Sequence, residues 1–166
     1  MLRLAVLEEG PRIMEMIEAA KVIMNEQGID QWNEEYPWLE DIEEDINNHI
    51  GYVLEKEGHI HGYVCINFNE QEDYNHLVEG SWSESDGKYA TIQRMVIDPE
   101  QTGKSYGSQM MVGIQDIVLE KGVHEIRLDT LANNGPMCRL IEKNHFEKRG
   151  KINSYDILRP VFQKFI

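Results

Sequence analysis

Hydrophobic positions recur along this chain with two periods, and each change of period marks an element. From Pro11 the apolar residues Ile13, Met14, Ile17, Ala20 and Met24 fall on one helical face, so a helix is expected to open at Pro11 and to end over 25–28. A second, acidic helix is expected over 39–48 with Leu39, Ile42 and Ile46 inward. A third, over about 105–121, places Tyr106, Met110, Ile114 and Ile117/Val118 at helical spacing. Strands are expected over 2–7, 52–55, 61–67, 89–97 and 124–130, and near 146–149 and 154–159. Glu57-Gly58 would turn the second strand into the third. Residues 69–88 are polar without a period and predict a loop. An aromatic loop carrying Trp32, Tyr36 and Trp38 joins the first two helices. Strands before and after helices, with one crossover following residue 97, predict a mixed α/β fold.

Composition narrows the class. The 166 residues suit one domain, 1–166, with a sizeable core. No apolar run approaches twenty residues and no signal peptide is recognised, so a cytoplasmic protein without a membrane segment is expected. Cys65 and Cys138 lie far apart without CxxC spacing, which fits reduced thiols. The net charge of −14 argues against nucleic acid, whose phosphates demand basic surface. The acids are unevenly spread: residues 8–57 hold 15 of the 30, with three basic residues among them. Such a half could attract a cationic acceptor, or simply be a solvated surface, the commoner case. His59 and His61 share a strand face, but no carboxylate or cysteine completes a metal set at ligand spacing, so a solvent-facing hairpin and no metal are expected.

The stretch from Met95 to Ser108 carries the clearest chemistry. An apolar strand, a Pro-marked turn and a small-residue loop run into a helix. Unpaired backbone N–H groups and the positive end of the helix dipole meet at such a loop and favour an anion, commonly phosphate. Gly103-Lys104-Ser105 resembles the end of a Walker A loop, but Asp98 stands where that motif needs its first glycine. An acid there would also repel a triphosphate.

The loop fits better with the acyl-CoA loop of the GNAT superfamily of N-acyltransferases, Arg/Gln-x-x-Gly-x-Gly/Ala. Gly107 fits the last position, Ser105 stands at the first glycine, and Thr102 fills the Arg/Gln slot with Gln101 just before it. Further on, Asn134, Met137, Leu140 and Phe146 match the family run Asn-x-x-(Ala/Met)-x-x-Leu-Tyr-x-x-x-Gly-Phe at its spacings. Gln31-Trp32-Asn33 with Tyr36-Pro37 resembles a segment of some small bacterial members. The resemblance spans roughly residues 2–150.

It implies a mixed, mostly antiparallel sheet flanked by helices, and acetyl transfer from acetyl-CoA to an amine of a small molecule or peptide. Met95, Val96 and Ile97 would offer backbone groups to the pantetheine arm. Thr102, Gly103, Lys104, Ser105, Tyr106, Gly107 and Ser108 would surround the pyrophosphate, and Asn134 would bond the CoA arm. Trp32 and Tyr36 would line the acceptor pocket, with core packing an equal alternative for both. A homodimer is compatible with the family, although no residue pattern specifies one. One departure matters: Ile141 fills the slot of a tyrosine that protonates the leaving thiolate in many members. Tyr106, Tyr155 and His145 are substitutes without an assigned place. Glu79, Glu84, Glu34 and Glu35 are base candidates, each more often a solubilising carboxylate. A CoA-binding or acyl-sensing module without turnover is therefore the alternative reading. Cys138 lies near the expected thioester position.

Overall fold

A computed structural model describes all of residues 1–166, which fall into two compact units. One comprises residues 1–66 and 92–114, the other 67–91 and 115–166.

The first unit begins with β1 (Leu2–Leu4), shorter than expected because a 3-10 turn takes over at Leu7–Glu9. Helix α1 (Gly10–Glu26) carries Pro11 in its first turn, where a missing N–H costs nothing. Its buried face is Ile13, Met16, Ile17 and Ala20, while Met14 and Met24 lie half-buried at the margin. Helix α2 (Leu39–Asn47) starts where the Trp38 N–H donates to Asp41 Oδ2 at 2.7 Å, the reach-back half of a capping box. Ile42 and Ile46 face inward, and so does Asp45. Strands β2 (Gly51–Lys56) and β3 (His59–Asn67) pair antiparallel, with Tyr52 opposite Val64. Glu57 and Gly58 between them both have positive φ, the pair of conformations a tight hairpin demands. Strand β1 pairs antiparallel with β2, and β5 (Ala90–Ile97) lies beside β3. The core of this unit joins Ile13, Met16 and Ile17 to Ile42, Ile46, Val53, Tyr63 and Val96.

The second unit holds the first two residues of β5, paired in parallel with β6 (Glu125–Asp129) through Ala90↔Ile126 and Thr91↔Arg127. Beyond β6 come β8 (Ile157–Phe165), β7 (Glu147–Ser154) and β4 (Glu79–Gly80), all antiparallel. The expected strand over 154–159 is corrected: Tyr155 and Asp156, both at positive φ, form the turn between β7 and β8. Residues 69–88 are also more than a loop. A 3-10 turn at Glu72–Asn75 and the edge strand β4 interrupt them, and Tyr74 and Trp82 pack with Tyr89, Ile152 and Val161. Tyr74 donates to Asp129 Oδ2 at 2.8 Å, and Trp82 Nε1 donates to the Tyr74 carbonyl at 2.8 Å. The Arg127 guanidinium lies 4.4 Å and 4.2 Å from the Trp82 and Tyr89 ring centres, so aromatic faces cover a charge that polarity alone would send to solvent. Helices α3 (Tyr106–Glu120) and α4 (Gly135–Lys143) complete the chain. The sheet is mixed and mostly antiparallel, as expected. No helix is long and apolar enough to cross a membrane.

Candidate active site

Strand β5 delivers the chain to the phosphate-type loop, and its end is pinned. The Asp98 N–H donates to the His61 carbonyl at 2.8 Å. Arg12 Nη2 donates to Asp98 Oδ2 at 2.5 Å and to the Ile60 carbonyl at 2.9 Å. Asp98 Oδ1 accepts from the Glu100 N–H at 3.0 Å and so starts the 3-10 turn Pro99–Gln101. The Asp98 carboxylate is thus consumed by an ion pair and a cap, and it is buried.

Two left-handed residues then shape the loop, Gly103 at φ 79° and Ser105 at φ 59°. A Cβ added at Gly103 would meet nothing within 4 Å, so the position requires glycine for its backbone angle rather than for space. Ser105 stands where the family has glycine and adopts the conformation glycine favours. Its carbonyl accepts from the Gln109 N–H at 3.0 Å, the first bond of α3. Helix geometry leaves the N–H groups of the first turn without intrahelical partners, at the positive end of a 15-residue helix. Lys104 donates to Gln101 Oε1 at 2.8 Å and is exposed.

Tyr106 is buried, its ring stacked on His61 with centres 4.8 Å apart, and the Lys56 ammonium lies 5.7 Å from the same ring centre. His61 is accordingly not a solvent-facing hairpin residue, although His59 is exposed. No group of three His, Cys, Asp or Glu side chains converges as a metal set. Of the loop's other residues, Thr102 is extended and exposed, and Gly107 and Ser108 lie in the first turn of α3. Within β5, Met95 and Ile97 are half-buried and Val96 belongs to the core.

The same unit contains a polar network that sequence reasoning missed. Arg94, in the middle of β5, has φ 50°. Its Nε donates to Asp45 Oδ2 at 2.8 Å and its Nη2 to Asp45 Oδ1 at 2.5 Å, a bidentate fork. Its Nη1 donates to the Tyr36 hydroxyl oxygen at 3.0 Å. Tyr63 donates to Asp45 Oδ2 at 2.6 Å. Burial pulls the Arg94 pKa down, but the Asp45 hydrogen bonds and the neighbouring charges more than offset it, so the guanidinium stays firmly protonated. Burial first, and then the Asp45 charge, push the Tyr63 hydroxyl far above an ordinary phenol. Burial likewise pushes the Cys65 thiol up to about 12. Two sequence signals pointed here: Gln93-Arg94 interrupts an apolar strand, and Asp45 sits on the inward face of α2 between Ile42 and Ile46.

The aromatic loop divides by burial. Trp32 packs in the core with Ile13 and Ile17, while Tyr36 is 38% exposed and Trp38 51%. Asn33 Oδ1 accepts from the Glu35 and Tyr36 N–H groups at 2.8 and 2.9 Å, and buried Lys21 donates to the Pro37 carbonyl at 2.7 Å. These bonds fix Tyr36.

In the second unit Asn134 is buried as the N-cap of α4, accepting from the Met137 N–H at 3.3 Å. Ile141 is 1% exposed. Cys138 Sγ lies 3.7 Å from the Leu131 carbonyl, and partial burial raises its pKa. Glu79 sits on β4, 3.5 Å from Lys151 Nζ, and Glu84 is exposed. His145 follows α4 at positive φ, and Tyr155 is 92% exposed on its turn.

Strand β5, a 3-10 turn and a loop with two left-handed residues thus lead into α3. Residues 14–146 match the acetyltransferase (GNAT) family, and the chain belongs to it. It is a GNAT-family acetyltransferase. Among solved structures it resembles a GNAT-family acetyltransferase from Streptococcus agalactiae at 28% identity and a TM-score of 0.91, covering 100% of this chain and 95% of that one. A GNAT-family acetyltransferase from Listeria monocytogenes shares 21% identity at a TM-score of 0.77, over 100% and 94% of the two chains. The structure of AAC(6')-Ib with ribostamycin and coenzyme A shares the fold at a TM-score of 0.71 and 19% identity, over 99% and 92%. No curated protein is close enough to this chain to count as a match.

Proposed function

We propose that residues 1–166 make a single cytoplasmic acetyltransferase domain that moves an acetyl group from acetyl-CoA to an amine of a small molecule or peptide, by direct attack in a ternary complex. The family pattern supports the single domain, since residues 14–146 run through both compact units. The observation that carries the reading is the loop 102–108, where Gly103 and Ser105 take left-handed φ at the head of α3. Its N–H groups suit a pyrophosphate, and binding through main-chain amides explains why Thr102 and Ser105 can replace the family residues. Met95, Val96 and Ile97 would carry the pantetheine arm. Met95 and Ile97 are half-buried at the end of β5 that leads into the loop, which supports this role. Asn134 joins the set on the family likeness alone.

Acetyl-CoA supplies a thioester: the carbon–nitrogen bond forms as the carbon–sulfur bond breaks, the amine gives up a proton, and the thiolate leaves. This chain contributes position and electrostatics. The leaving thiol has a pKa of about 8.5 by analogy with cysteine, so water can protonate it. Tyr106 as acid and Glu79 as base stay unassigned, because one is stacked inside and the other is paired with Lys151. Tyr36 is the better acceptor-facing residue of the aromatic loop: its hydroxyl oxygen accepts from Arg94 and its own proton remains to donate. Ribostamycin, an amine-bearing ligand of a fold neighbour, fits the amine class.

The test is release of CoA thiol across a panel of aminoglycosides, polyamines and peptide N-termini. Release with at least one amine, saturable in acetyl-CoA, supports transfer. Tight acetyl-CoA binding without release across the panel would favour the sensing module, for which buried Ile141 in the family's tyrosine slot is the specific argument.

A further inference from the structure

Arg94 combines two features that seldom meet in the middle of a strand. Its backbone is left-handed at φ 50°, and its side chain is locked by three hydrogen bonds, two to Asp45 and one to Tyr36. Side chains bearing a Cβ avoid that backbone state by roughly tenfold in population. Something must therefore hold it. The lock is well placed to do so: Asp45 is itself buried and fixed by Tyr63, and α2, which carries it, packs its Ile42 and Ile46 into the core beside Val96 of the same strand. Two anchored elements, α2 through Asp45 and the aromatic loop through Tyr36, converge on one residue of β5, and that residue immediately precedes Met95.

We infer that Arg94 is a positioning residue: its fork to Asp45 holds the backbone of β5 in a left-handed turn that sets the direction of Met95–Ile97, and thereby prepares this stretch for the acyl-pantetheine part of acetyl-CoA. The inference rests on the proposed function above and adds to it the Arg94–Asp45 pair. Arg94 touches no ligand in this account and acts through its own backbone. The guanidinium charge is already matched by Asp45, so it is not offered to a substrate carboxylate. Tyr36 shares the lock, which ties the aromatic loop to the same strand.

The claim separates two parts of one ligand. Adenosine 3′,5′-bisphosphate carries the nucleotide of CoA with one of its two bridging phosphates and none of its arm, and would engage the loop 102–108 alone. Acetyl-CoA also needs β5. Arg94→Lys keeps the charge but cannot form the fork. Without the fork the left-handed state is held in about one molecule in ten, and apparent affinity falls with the competent fraction. Arg94→Lys is therefore expected to weaken acetyl-CoA about tenfold by calorimetry while leaving adenosine 3′,5′-bisphosphate unchanged. Arg94→Gly combined with Asp45→Asn removes the fork but supplies a residue at ease with positive φ. It should recover acetyl-CoA binding to within about threefold of wild type. If that variant does not fold, Arg94→Asn with Asp45→Asn replaces it, asparagine being the side chain most tolerant of this backbone.

The inference is overturned if Arg94→Lys leaves acetyl-CoA binding within twofold, if the bisphosphate weakens equally, or if the glycine or asparagine variant does no better than lysine. Wild type that binds neither ligand would instead overturn the proposed function, and this inference with it. Wild type that binds both, with variants that do not differ, overturns this inference alone.

Discussion

Ser105 is the one place where the loop of this chain departs from the family and the geometry states the cost. A non-glycine residue at φ 59° gives up about 1–2 kcal/mol relative to a right-handed backbone. Replacing it with glycine removes that cost but returns about 0.4–1 kcal/mol of extra freedom to the unfolded chain. Ser105→Gly should therefore stabilise the protein by about 0.5–1 kcal/mol, or about 2 °C in Tm for a chain of this length. Ser105→Ala keeps the Cβ and the strain and should gain nothing. The assay is urea unfolding of the three proteins under identical conditions, with the slope checked for constancy. Acetyl-CoA affinity, measured alongside, should not fall in the glycine variant, since the amides do the binding. Glycine that destabilises, or alanine that stabilises as much as glycine, would refute the strain argument and with it the backbone reading of the loop.

Asp45→Asn leaves the Arg94 guanidinium without its charge partner in a buried setting and is expected to cost about 3–5 kcal/mol by urea unfolding; a loss below 1 kcal/mol would mean the pair is dispensable. Cys65 gives an alkaline limit. Its thiol keeps its proton up to about pH 12 in the folded state, while an exposed thiol ionises from near pH 9. The unfolded state therefore binds fewer protons above pH 9, and stability present below that pH is lost towards pH 12 at about 1.4 kcal/mol per unit. Cys65→Ala should flatten that part of the stability–pH curve, and an unchanged curve would contradict the burial argument. Ile141→Tyr would place the family's tyrosine in a fully buried site in α4. It should destabilise by about 1–3 kcal/mol through overpacking, and full stability would show that the tyrosine slot is open.

The elements with a clear period were legible: α1, α2 and α3 begin within a residue of their expected starts, because apolar spacing and Pro11 act locally. Residues 69–88 were not legible, because Tyr74 and Trp82 earn their burial from β6, β7 and β8, partners distant in sequence. The turn at Tyr155–Asp156 was hidden by residues that carry no glycine signal. At the candidate site the loop was read from its small residues and helix start. The Arg94–Asp45 lock was missed because a charge inside a strand and another on a helix face look like exceptions until both are seen to be each other's partner. Trp32 and Tyr36 belong to one segment, and only packing separates the core residue from the exposed one.

The central claim, that this chain binds acetyl-CoA through the loop heading α3, is tested most directly by calorimetric titration with acetyl-CoA and with Mg²⁺-ATP as the control ligand. The account predicts saturable micromolar binding of acetyl-CoA and none of Mg²⁺-ATP. No binding of acetyl-CoA at millimolar ligand would contradict it and would leave the chain a GNAT fold whose loop has lost its cosubstrate.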